Sequence, residues 1–121
     1  MKDLLLGILG FAVVIGIIVA ITNKFSKKLY NVKEVDILKM EDIIIFFKQK
    51  ELFDKLSSNE NFISVAIKEN KKDYYNILCA IYDKSKEKVL DIDNCALMFK
   101  AKDIDIDLKN AFGNKDMIVL N

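Results

Sequence analysis

The sequence predicts an α+β protein. It begins with a single transmembrane helix, followed by a small domain whose mostly antiparallel sheet packs on one main helix and ends with a short C-terminal helix. Three observations predict this. Leu4 to Ile21 form an unbroken uncharged run, LLLGILGFAVVIGIIVAI. Residues 40–56, MEDIIIFFKQKELFDKL, join an apolar seam to a charged, helix-favouring second half. Beyond them, apolar runs of strand length alternate with short polar breaks.

At the helical rise of 1.5 Å per residue, the first run reaches roughly 27 Å, close to the hydrocarbon thickness of a bilayer. A buried core helix of the same composition would need apolar partners on every side. A cleaved leader would have a shorter apolar region and a small-x-small exit, whereas this run leaves through VAITNKF. The Gly10–Phe11 junction looks like the processing point of type IV pilins. The resemblance fails because the leader KDLLLGIL is apolar and Ile15 stands where those proteins carry Glu. Residues 1–22 are therefore expected to be a permanent anchor. Within it, Ala12, Gly16 and Ala20 recur every four residues and would line one helix-packing face.

Residues 23–38 are expected to be a basic juxtamembrane segment. Lys24, Lys27 and Lys28 would anchor it at the interface, and a helical stripe of Phe25, Leu29 and Val32 would continue the anchor. These lysines place the following domain on the cytoplasmic side of a bacterial inner membrane by the positive-inside rule, with a periplasmic domain as the alternative.

Residues 39–121 are expected to fold as one soluble unit. In the main helix, Glu41 and Asp42 suit the positive N-terminal end and Lys55 the other end. Its seam would comprise Ile45, Phe46, Leu52, Phe53 and Leu56, widened by Ile43, Ile44 and Phe47. NFISVAIKE and DYYNILCAIYD read as a hairpin across ENKKD, and DKSKEK as a further turn. KVLDI and CALMFKA supply two more strands of a meander, and MIVL the last. Residues 103–113 read as a short helix with Asp105 or Asp107 as N-cap and Gly113 as C-terminal cap. Ile104, Ile106 and Leu108 would then be its buried residues.

Composition bounds the chemistry. The 121 residues carry a net charge of +1 and contain no His, Trp, Pro or Arg. Without His, the Ser-His and Cys-His nucleophile pairs and His-ligated zinc are excluded. Without Arg there is no bidentate guanidinium grip on phosphate or guanine. The candidate sites are few. Asp91, Asp93, Asp103, Asp105 and Asp107 form an acidic cluster, but the EF-hand pattern breaks at Leu108 and Asn114, where a Gly and a Glu are required. Cys79 lies among apolar neighbours and Cys95 near a turn, with no CxxC. Tyr74 and Tyr75 beside Lys71 and Lys72 read as a hairpin tip rather than a nucleic-acid platform, although Tyr82 shares the strand parity of Tyr74.

The expected role is thus a non-enzymatic accessory or scaffold subunit of a bacterial membrane assembly. It would bind no cofactor, metal or nucleic acid and would contact another membrane protein, or itself, through the anchor's small-residue face and a sheet edge. The alternative is a membrane-anchored domain that senses a small ligand or ion.

Overall fold

The computed structural model describes residues 6–7, 31–90 and 95–120. Among them the chain forms one sheet with three helices. The strands are β1 (Leu6–Gly7), β2 (Val32–Leu38), β3 (Phe62–Asn70), β4 (Tyr75–Asp83), β5 (Lys88–Leu90), β6 (Leu97–Ile104) and β7 (Met117–Leu120). The helices are α1 (Met40–Lys48), α2 (Lys50–Ser58) and α3 (Ile106–Phe112). The strand order is β1-β7-β3-β4-β6-β2, with β5 paired on β4 off this path. Every pairing is antiparallel except β2 with β6.

The expected transmembrane helix is corrected. Leu6 and Gly7, inside the run assigned to the bilayer, are extended and pair with Leu120 and Val119. No helix among the described residues is long and apolar enough to cross a membrane. A long apolar run shows only that its residues avoid water, and the interior of a protein meets that demand as lipid does. Ala12, Gly16, Ala20, Lys24, Lys27 and Lys28 lie outside the described residues. The helical stripe through Val32 is also corrected, because Val32 opens β2 in register with Met98 of β6. The β-branched residues of VKEVDIL favour the extended chain there.

The main helix expected at 40–56 is two helices. Gln49 breaks it with φ −57° and ψ 140°. The apolar pattern explains why. In a continuous helix of 3.6 residues per turn, Leu52 would point about 180° away from Ile43. The break re-phases the second half, so Ile43, Phe46 and Phe47 of α1 and Leu52 and Leu56 of α2 are all buried in one cluster. Ile45, placed in the expected seam, is instead 55% exposed. Asp42 accepts the backbone N–H of Lys39 at 3.0 Å, closing the start of α1.

At the other end, Asp105 caps α3 by accepting the N–H of Leu108 at 2.9 Å, and Gly113 follows at φ 58°. Ile104 and Leu108 are buried, whereas Ile106, expected to be buried too, is 66% exposed. It falls in the first turn of α3 on the side away from Leu108 and Phe112.

The sheet has two apolar faces. One packs against all three helices through residues such as Ile77, Cys79, Phe99 and Ala101. The other gathers Ile63, Val65, Ile67, Leu78, Ala80, Tyr82, Ala96, Met98, Met117 and Val119, all buried, with no residue from any helix among them. Ser64, fully buried, donates its hydroxyl to the Leu120 carbonyl and ties β3 to β7. The meander is modified: β7 returns beside β3, and β2 joins the far edge in parallel.

Two backbone positions generate predictions. Gly113→Ala meets no neighbour within 4 Å of the added Cβ, so its cost is backbone strain alone, on the order of 1–3 kcal/mol. Glu87 holds φ 52° without being glycine, and Glu87→Gly is expected to raise stability by up to about 1 kcal/mol. Urea unfolding of both variants measures the two opposite shifts.

Candidate functional site

β2 is an edge strand. Among the described residues it pairs only with β6, leaving its other side without a strand partner. It is exposed along most of its length, with Val32 at 55% and Ile37 at 54%. Unpaired N–H and C=O groups on such an edge are a template for another chain.

Beside this edge, Glu34, Val35, Asp36, Asp73, Tyr74, Lys100, Ala101 and Lys102 line an open cleft of about 490 Å³. Its charges are matched within the sheet. Lys100 Nζ lies 3.7 Å from Glu34 and 4.6 Å from the centre of the Tyr74 ring. Lys102 lies 3.6 Å from Asp36. These are cross-strand pairs between β2 and β6, projecting on one face because residues two apart share a face. They are largely solvated and contribute little to stability. What they do is set two carboxylates side by side on one face of the β2 edge, with two lysines one strand inward. On the helix side, Lys33, Ile45 and Gln49 border a smaller recess of about 110 Å³ that reaches Phe99.

The residues singled out in the sequence are dispersed. Asp103 accepts the N–H of Ile104 at 2.8 Å and faces Lys109 at 3.4 Å, while Asp105 is committed to the α3 cap. Asp107 is exposed in the first turn of α3. Asp91 and Asp93 lie outside the described residues. No group of His, Cys, Asp or Glu suited to a metal ion occurs among the described residues. Cys79 is fully buried in β4, and burial pushes its thiol pKa well up. Cys95, expected near a turn, is buried with its sulfur 3.7 Å from Lys55 Nζ; the two cysteines are not paired with each other. Lys55 comes from α2, forty residues earlier in the chain, which local sequence could not reveal.

The tyrosines do not form a stacking platform. Tyr82 is 2% exposed, Tyr75 packs toward the helices, and among the described tyrosines only Tyr74 borders the cleft. Lys71 pairs with Glu69 at 3.0 Å at the hairpin tip. Sequence reasoning missed Glu34, Asp36, Lys100 and Lys102. The available signal was two charged residues spaced by two in each of two strands, a pattern that puts them on a common face.

No protein-family model matches the chain, and no curated protein or solved structure matches it either.

Among the described residues, two aspartates have pKa values held below the ordinary carboxylate value. Asp83 is buried, and its Oδ1 accepts the Ser85 hydroxyl at 2.6 Å, the Ser85 N–H at 2.9 Å and the Lys86 N–H at 3.3 Å. The Ser85 hydroxyl bond leads in holding its pKa below the usual carboxylate value, against the opposing effect of burial. The pKa of Asp103 is lowered first by the Ile104 N–H and then by Lys109. A depressed folded-state value contributes stability that is complete above the ordinary aspartate pKa of about 3.9 and is lost as pH falls through the lower, folded value. Asp83→Asn is expected to lower stability at neutral pH and to flatten the loss below about pH 4. Denaturant titration at stepped pH reads both effects.

Proposed function

We propose that this protein is a non-catalytic interaction domain, an accessory subunit that takes up an extended segment of a partner protein along the outer edge of β2. The observation that carries the reading is the open edge itself. It is a seven-residue strand with no second neighbour among the described residues, solvent-exposed, and bordered by an open cleft. A strand added there would gain main-chain hydrogen bonds along β2. Val32 and Ile37 would offer apolar contacts, one on each face of the sheet.

The charges along β2 favour selective over promiscuous pairing. Lys33, Glu34 and Asp36 discourage a flat apolar strand, as edge charges do in proteins that avoid aggregation. A partner segment that sets basic side chains beside Glu34 and Asp36 would meet no such penalty. This role needs no lipid anchor. The composition agrees with it, because the absence of His removes the common hydrolytic constellations.

A photo-reactive residue placed at Ile37 in the full chain, in its native cell, is expected to cross-link one discrete partner. The same residue at Lys86, in the turn between β4 and β5, is expected to leave that partner unlabelled. Equal labelling from both positions, or none from Ile37, would overturn the assignment.

A further inference from the structure

The edge of β2 has two unlike sides, and its register with β6 assigns them. Lys33 and Val35 stand opposite Phe99 and Ala101, both members of the cluster on the helix side. By strand alternation Lys33, Val35 and Ile37 face that side, and Glu34 and Asp36 face the other. The helix side of the edge is apolar. Ile37 and, from α1, Ile45 are each about half exposed, and a recess of about 110 Å³ opens between Lys33, Ile45 and Gln49 down to Phe99. Its size suits a single aliphatic side chain. The opposite side is acidic, with the side chains of Glu34 at 77% and Asp36 at 88% exposure.

Building on the reading of β2 as a docking edge, we propose that its partner is an extended segment in which basic and apolar residues alternate. Basic side chains two positions apart lie beside Glu34 and Asp36. The apolar residues between and next to them turn to the helix side, against Ile37, Ile45 and the recess.

Charge order across the sheet favours this occupant. Lys100 and Lys102 approach Glu34 and Asp36 from the β6 side, at 3.7 and 3.6 Å. A basic segment on the outer side sets each carboxylate between two ammonium groups, so that the sign alternates from strand to strand. An acidic segment places like charges directly opposite one another, which destabilises a ladder. A wholly apolar one desolvates both carboxylates without supplying a counter-charge.

A second copy of this chain fits poorly for the same reason. With Val35 on a two-fold axis, antiparallel β2 strands would set Glu34 of each copy opposite Asp36 of the other. Moving the axis to Glu34 or to Asp36 sets that carboxylate against its own counterpart. The edge selects against itself and for a partner of opposite charge.

Three end-blocked synthetic peptides, tested on the full chain, separate these possibilities: KVKVK, its acidic counterpart EVEVE, and KKKVV, which keeps the composition of the first without its alternation. Fluorescence anisotropy measures affinity, and hydrogen–deuterium exchange of the β2 amides locates the bound peptide. KVKVK is expected to bind roughly tenfold more tightly than either of the others, to protect the β2 amides, and to weaken as salt is added. In the double variant Glu34→Lys, Asp36→Lys the preference is expected to pass to EVEVE, with exchange of the β3–β4 amides checking that the variant is folded. The comparison on the unaltered chain stands without the variant. Protection of β2 by all three peptides at equal affinity, or a preference for EVEVE or KKKVV, would overturn the alternating basic partner and leave β2 as a docking edge. Failure of every peptide to protect β2 would overturn both.

Discussion

Nine consecutive residue pairs join β3 to β4, and residues 77–82 of β4 are each no more than 2% exposed. Because successive strand residues point to opposite sides, a strand this deeply buried needs apolar cover above and below it. That requirement organises the domain. The helices between β2 and β3 supply one layer, carried across the sheet by a connection that starts at its far edge. Neighbouring strands β6 and β7 shield the flanks of the hairpin. α3 is held over the end of the sheet by its buried Leu108 and Phe112, the ring of Phe112 lying 5.0 Å beneath Lys68 Nζ.

The parts of the fold that were legible in the sequence are those set by local periodicity. The β3–β4 hairpin, the turn at 84–87, the Asp105 cap and the positive φ at Gly113 each follow from residues within a few positions of one another. The illegible parts depend on partners distant in the chain. VKEVDIL resembles a basic extension when read from its charged neighbours, and becomes a strand because β6 offers it a parallel edge. Residues 40–56 look like one helix until the phases of Ile43 and Leu52 are compared, which reveals that a single straight rod cannot bury both. The same limit applies to the site. Lys100 and Glu34 meet only through the sheet register, and Lys55 reaches Cys95 only through the docking of α2.

The transmembrane-helix reading is corrected for a different reason. Hydropathy measures the cost of keeping a residue in water and is silent about the medium that replaces water. Against a chain whose remaining surface is polar, a bilayer is the economical guess. Leu6 and Gly7, extended along β7, belong instead to the sheet.

The parallel union of β2 with β6 also bears on how the domain assembles. Val35 must find Ala101, whereas β3 and β4 are joined by a loop of only a few residues. Closing a long loop costs more configurational entropy and delays the contacts that depend on it. The hairpin is thus expected to form early, and the margin strand, held by one strand neighbour at long sequence separation, later. On a landscape of that shape, the margin would be the first part to open and the last to reseal. Occupancy of that margin and the lifetime of the native state would then rise together.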